Sequence, residues 1–339
     1  MAGDGGLRVQ SQTPSPADVL DDVPVTKILR SAKRRVLAAL DLSVLDEWMD
    51  NGPGRDPKYP RSQMMRGLLL CTAETKFQFR ELEDCFDSVL GRLICGFADE
   101  TPVLSTIWEF WNRVQPFIQR LFDHLVQLLD ELGFYGSRFV FDSTHLECPR
   151  TDPDGAWAWD SIDQKWVYGY GLLAAVDCAS DLPAGAVVTQ RKQHPETATL
   201  ECFDRLRTNT TVTEILGDSA YDTLEFHEEC FDNRTLPICT YNPRNTAEPL
   251  DIVFRVEALV EKHDIKLDRD ALEAAFADRI VGERFFSGLK EDARKLTFRV
   301  QGRRRVETHV GLVLIDRLVT ALANRLDDPT ANLRRTKPW

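Results

Sequence analysis

The sequence predicts an α/β domain with a mixed sheet, preceded by a helical domain. Two observations predict this. Up to Leu132 apolar residues recur at helical spacing; after Gly133 they fall into short runs rich in aromatic and β-branched residues. From Gly133 onward the elements read β-β-β-α-β-α-β-α, and helices stand at both ends of the chain.

Residues 1–22 are rich in Gly, Ser, Pro and Asp and read as a disordered tail. They lack the basic-then-apolar pattern of a signal peptide. Residues 23–132 read as a helical N-terminal domain, with turn signals at Asn51–Pro53 and Pro102. Within it Met64, Leu68, Leu69, Phe79, Leu82 and Phe86 keep helical spacing. A helix beginning at Ser105 runs through Trp108, Trp111, Val114 and Ile118 toward Leu129, with Pro116 placed to kink or split it. The Trp108 and Trp111 pair reads as packing.

In residues 133–326, strands are expected over 134–142, 166–177, 184–191, 214–218 and 236–241. Helices are expected over 197–208 and 223–232, and again from Asp268 onward. Val306 to Leu326 reads as one long apolar helix, and 327–339 as a C-terminal tail.

Net charge is −12 and the pI is about 5.1, the wrong sign for an ordinary nucleic-acid binder. Asp exceeds Glu and Arg outnumbers Lys, the balance of a protein working in high salt. DNA contact by such a chain has to come from local basic patches. No run of about 18 apolar residues is free of charge, so no membrane span is expected and the chain reads as cytoplasmic. The eight cysteines form no C-x-x-C pair and read as buried reduced thiols.

Two aspartates follow apolar strands. Asp142 ends the first predicted strand in FVFDSTH, and Asp218 follows Ile215, Leu216 and Gly217 in EILGDSAYD. If the two strands are parallel neighbours, both carboxylates stand at one sheet edge, where they repel unless a cation lies between them. Hard oxygen ligands of this kind suit Mg²⁺ or Mn²⁺. Either aspartate alone reads more readily as a turn or cap residue.

A third segment changes the weighing. Over Phe276 to Lys290 a single helix would place Phe276, Arg279, Glu283 and Lys290 within a sector of about 60°. A carboxylate flanked by cations is an ion-pair ladder, or a face that binds metal and phosphate together. This segment resembles the Tyr-x2-Arg-x3-Glu-x6-Lys signature of DDE transposases of prokaryotic insertion sequences. Arg279, Glu283 and Lys290 match in type and spacing; Phe276 keeps the ring of the tyrosine and loses its hydroxyl. FDST at Asp142 and GDSAYD at Asp218 resemble the family's two aspartate segments, and the similarity spans roughly residues 60–325.

The resemblance implies a ribonuclease H-like catalytic domain with a mixed five-stranded sheet, in a haloarchaeal setting if the acidic composition is followed. It implies two Mg²⁺ (or Mn²⁺) ions held by Asp142, Asp218 and Glu283, with Asp142 bridging them. The chemistry would be DNA cleavage at insertion-sequence ends and joining of the 3′-OH to target DNA. The expected partners are double-stranded DNA, as terminal inverted repeats and target, and a second copy of the chain in the DNA complex. Phe276, Arg279 and Lys290 would contact DNA, with Arg303, Arg304 and Arg305 as a backbone patch. Competing readings are a nuclease of the same fold without strand transfer, a non-catalytic DNA-binding regulator, and an unrelated hydrolase with paired aspartates.

Lesser candidates are His145 and His194, each also read as an ordinary loop histidine, and Asn242 and Arg244 in a loop facing DNA. Asp222 reads as the cap of the helix after Asp218. The N-terminal segment carrying Arg61, Arg66, Lys76 and Arg80 is the guess for repeat binding.

Overall fold

A computed structural model describes residues 29–49, 57–98, 100–160, 164–190, 195–245, 249–263, 266–291, 295–296 and 300–334. The predicted tail 1–22, the turn at 51–53 and His194 lie outside the described residues. The chain forms two compact units. One comprises residues 1–128, 292–295 and 307–339, and the other residues 129–291 and 296–306.

The first unit is helical, with α1 (Ala32–Ala39), α2 (Val44–Trp48), α3 (Arg61–Ala73), α4 (Phe79–Asp87), α5 (Val89–Cys95) and the start of α6 (Leu104–Glu131). Its apolar stripes interlock: Leu37, Leu69, Phe86, Val114 and Phe122 are buried. Gln78 and Glu81 cap α4 reciprocally, and α6 starts where Leu104 N donates to Glu83 Oε1 at 2.8 Å. Helix α6 continues through Pro116 without a break, so the expected split does not occur. Edge-on contacts of Phe79 with Trp108 (4.8 Å) and Trp111 (6.1 Å) confirm packing for that pair. Buried Asp316, on the last helix α12 (Arg303–Asp327), accepts from Lys295 at 2.8 Å and pairs with Lys33 at 2.5 Å.

Of the basic residues expected to read DNA, Arg61 is withdrawn from solvent and Arg66 partly so. Arg61 is buried, with its backbone N donating to Asp46 Oδ1, and Arg66 Nε donates to the Leu40 carbonyl. Their guanidinium stems complete the packing of α3 instead.

The second unit is built on a six-stranded mixed sheet: β1 (Arg138–Glu147), β2 (Ala156–Asp160), β3 (Lys165–Asp177), β4 (Pro183–Gln190), β5 (Glu214–Gly217) and β6 (Leu236–Cys239). Five strands run in the order β4-β3-β1-β5-β6; β1, β3 and β4 pair antiparallel, while β5 and β6 are parallel to β1. That is the mixed five-stranded arrangement the resemblance implied. The sixth strand, β2, adds to the lower half of β3.

Helix α6 ends at Gly133, whose φ of 73° carries the closing turn, with Phe134 N donating to Leu129 O. The first strand then begins four residues later than expected and runs five further. Residues 134–137 form the approach, held by Gly136 N on Asp177 Oδ1, and β3 carries the pairing on to Glu147. Helix α7 (Pro195–Asn209) packs on β3 and β4, and α8 (Leu224–Asp232) and α9 (Val256–His263) flank β6. Helix α10 (Arg269–Phe276) leads through a 3-10 turn, Ala277–Arg279, into α11 (Ile280–Glu291), which packs on β1 and β3. The single helix expected over 276–290 is thus interrupted, at the turn where Asp278 accepts from Arg138 of β1 at 2.9 Å.

The sheet is covered on both faces. Gly185, paired with Ala175, abuts Cys202 of α7, whereas Asp142, paired with the adjacent Ala174, abuts Gly282 of α11. Double cover explains why Leu172 to Val176 is a continuous buried apolar run. All eight cysteines are free and seven are buried, Cys148 being intermediate. Among the described residues no helix is long and apolar enough to cross a membrane.

Burial lowers the imidazole pKa of two interior histidines, His227 and His309, below the ordinary value. The unfolded chain therefore takes up more protons than the folded one as pH falls through about 6.5. The melting temperature is expected to drop over that range, and His309→Gln should flatten the His309 share of the drop in a pH series of thermal melts.

Candidate active site

Strand β1 places Asp142, and its parallel neighbour β5 places Asp218. The last paired residues are Val140 and Leu216, and each aspartate stands two positions further on. The two carboxylates therefore leave the same edge in register. Asp142 does not end its strand, because β3 continues to pair with β1 beyond the point where β5 stops. Asp218 caps the short 3-10 turn Ser219–Tyr221, its Oδ1 accepting from Ala220 N at 2.8 Å. Tyr221 is buried, meets Phe141 edge-on at 6.0 Å and hydrogen-bonds Ser143, which fixes the Asp218 turn to β1.

Glu283 arrives on α11, and Gly282 beside it explains how the helix comes so close. A Cβ at Gly282 would lie 2.6 Å from Asp142 Cβ and 2.8 Å from its Oδ2. Only a residue without a side chain lets this turn of helix sit on the aspartate. Next to Glu283, Arg284 grips Asp181 of the β3–β4 turn with two hydrogen bonds, at 2.5 and 2.6 Å. Arg138 bonds Glu214 of β5 at 2.5 Å and Asp278 before α11 at 2.9 Å.

Burial, followed by the charges of Asp218 and Glu283, raises the Asp142 carboxyl above its ordinary range; the Ser143 backbone and Arg279 act against this. Three carboxylates thus share one field with Arg279. Glu283 is exposed and turned to Arg279, Oε1 to Nη2 at 2.8 Å. Among the described residues no three His, Cys, Asp or Glu side chains stand as a ready-made metal cage. The donor set is nonetheless all hard oxygen with excess negative charge, the chemistry that suits a divalent cation.

Of the predicted DNA contacts, Phe276 and Arg279 remain together, the guanidinium 6.0 Å from the ring, and Phe276 packs edge-on against Phe254 at 5.3 Å. Lys290 is exposed at the far end of α11. Arg303 to Arg305 open α12 elsewhere, where Arg303 N donates to Asp154 Oδ2 and its guanidinium to the Val188 carbonyl. Arg304 and Arg305 are exposed. His145 stands on β1 facing Asp160 at 3.6 Å.

Asp222 is not a helix cap; Thr223 is, accepting from Phe226 N. Asp222 is fully buried and accepts two hydrogen bonds from Arg255, both 2.9 Å, and one from Asn242 N at 2.6 Å, with His227 Nε2 at 3.2 Å. Burial pushes its carboxyl up, but the close His227 ring and the hydrogen bonds from Arg255 and Asn242 outweigh this and hold it below the ordinary value. Asn242 Nδ2 also donates to Ser219 O, so this network braces the Asp218 turn from below. A sequence signal existed only in the pairing of two Asp residues in GDSAYD; Arg255 lies too far along the chain to be linked to them.

Two outcomes follow. Asp222→Ala leaves the buried Arg255 charge without its carboxylate and should cost about 3–5 kcal/mol in urea unfolding. Gly282→Ala overpacks the contact with Asp142 and should cost about 1–3 kcal/mol in the same measurement.

The transposase DDE domain family matches residues 136–316, the stretch that carries the sheet, both aspartates and Glu283. Two proteins described as "Probable transposase for insertion sequence element ISH11", from Halobacterium salinarum strains R1 and NRC-1, are each 31% identical over 326 residues. The alignments cover 93% of this chain and 98% of each relative. The acidic, arginine-rich composition agrees with relatives from a salt-loving archaeon. Among solved structures, a piggyBac transposase synaptic complex with hairpin DNA aligns with a TM-score of 0.30 and 10% identity, covering 94% of this chain and 82% of that one. With a family match over more than half its length and relatives aligned nearly end to end, this chain belongs to the DDE-domain transposases of insertion sequences.

Proposed function

We propose that the chain cuts DNA at the ends of an insertion sequence and joins the freed 3′-OH to target DNA, with Asp142, Asp218 and Glu283 as the ligands of two Mg²⁺ or Mn²⁺ ions. The observation that carries this reading is the shared field at Asp142, where a half-buried carboxyl is opposed by two further carboxylates on separate elements. Such an arrangement is costly unless a cation is bound. The ions would supply activation of the attacking oxygen and stabilisation of the leaving 3′-oxygen.

The chain's own residues do the positioning. Asp142, half-buried on β1 and within the field of both other carboxylates, would be the ligand common to both ions. Glu283, exposed and paired with Arg279, would turn from it to hold the ions. Arg279, released, joins Lys290 on the phosphates of the strand being cut, while the Phe276 ring keeps the guanidinium aligned. Water attack yields the 3′-OH, and that hydroxyl then attacks a target phosphodiester, so no covalent link to the protein is required. We assign residues 133–326 to catalysis and the helical region 23–132 to binding the terminal repeats. Two copies act together because two ends are joined.

The test is cleavage of DNA carrying the element's terminal inverted repeats in Mg²⁺ or Mn²⁺. The expected products have 3′-OH ends at the repeat boundary. Asp142→Ala, Asp218→Ala and Glu283→Ala should each lower the rate at least about a hundredfold. Cleavage at the native rate in any one of them would overturn the assignment of that residue.

A further inference from the structure

Strand β2 and the facing half of β3 carry an aromatic surface that the carboxylate site does not use. Trp157 pairs with Tyr168 and Trp159 with Trp166 across the two strands. Cross-strand partners share a face, as do residues two apart, so all four rings lie on one side of the hairpin. Trp157 meets Tyr168 at 5.3 Å and Trp159 meets Trp166 at 5.7 Å, both edge-on. The three tryptophans are 46%, 50% and 63% exposed, unusual for the side chain with the largest apolar area.

Three observations say what covers this ladder. First, Trp166 lies an even number of residues from Ala174, the partner of Asp142, so the rings stand on the same face of the sheet as that carboxylate. The separation along β3 is on the order of 26 Å, or about eight nucleotide steps. Second, cations adjoin it. The Arg150 guanidinium stacks on Trp157 at 4.7 Å. The loop carrying Arg150 is bonded to the start of α12 through Asp152 to Gly302 N (3.0 Å) and Asp154 to Arg303 N (2.9 Å), next to exposed Arg304 and Arg305. Third, the chain is acidic overall, and its relatives come from a salt-loving archaeon. Molar salt abolishes most counterion-release binding but leaves base stacking on aromatic rings, which depends on no net charge.

We propose that the aromatic face of the β2–β3 hairpin is a stacking surface for unpaired DNA bases, holding a strand that extends from the carboxylate site. This rests on the transposase reading above for the identity of the polymer. The pairing of exposed rings with flanking arginines is the chemistry by which proteins hold single strands irrespective of sequence.

The test uses the full-length protein in EDTA, so its outcome is independent of whether the three carboxylates hold metal. A short labelled oligothymidylate and a blunt duplex of the same length are titrated by fluorescence anisotropy, at low salt and in molar KCl. The double variant Trp159→Ala, Trp166→Ala should bind the single strand about tenfold more weakly, with duplex affinity unchanged and the difference kept in molar KCl. Trp159→Phe with Trp166→Phe should retain most of the binding. Equal affinity of the alanine variant and wild type for the oligothymidylate overturns the proposal. So does a shift from dimer to monomer in light scattering with DNA affinity unchanged, which would make the face an interface between copies. Both substitutions are at exposed positions, and far-UV circular dichroism checks that the fold is kept.

Discussion

Strand β1 is the shared neighbour on which the α/β unit is organised. On one side its residues Arg138 to Val140 lie in parallel register with Glu214 to Leu216; over its face, helix α11 comes within the distance that only a glycine permits. Parallel pairing makes two carboxylates emerge side by side, and the helix contact brings the third. Arg138 touches all three carriers, lying on β1 and bonding Glu214 and Asp278. Half-exposed ion pairs of this sort contribute little energy, so its work is geometric: it sets the angle at which α11 begins. The buried pairing of Asp222 with Arg255 does the equivalent for the Asp218 turn, at higher energetic stake.

A site assembled in this way concentrates repulsion. Asp142 is half-buried in the field of two other carboxylates, and Arg279 pairs with Glu283. Strain of this electrostatic kind is tolerated because the surrounding contacts are over-determined: Gly282 against Asp142, Arg284 gripping Asp181, Tyr221 bonded to Ser143. The scaffold keeps the carboxylates in one electrostatic field in spite of their charge, the preorganisation that the proposed divalent cations would need.

The acidic surface and the demand for nucleic-acid contact conflict only when binding is treated as a property of net charge. Exposed Lys290 on α11 and Arg304 and Arg305 on α12 are local, and the tryptophan ladder on β2 and β3 is indifferent to salt. A chain of charge −12 can in this way present an adhesive face to a polyanion while most of its surface repels it.

Much of the fold was legible in the sequence because its signals are local. The short runs of aromatic and β-branched residues after Gly133 predicted most strands to within a few residues. The motif around Arg279 and Glu283 was readable because one helical turn separates them, and that ion pair survives although the helix is broken before it. What local pattern could not supply were relations between distant segments. Strand β2 reads Ala-Trp-Ala-Trp-Asp, with no β-branched residue, and does not stand out without its partner. Asp222 looked like a cap because its partner Arg255 is 33 positions away. Arg61 and Arg66 looked available because burial is decided by neighbours in space. The sequence by itself singled out the three carboxylates proposed to carry the chemistry and the kind of element on or beside which each sits. Only the tertiary structure decided that Asp142 and Asp218 share an edge and that Gly282 admits the helix bearing Glu283, since register and close approach are properties of pairs of segments.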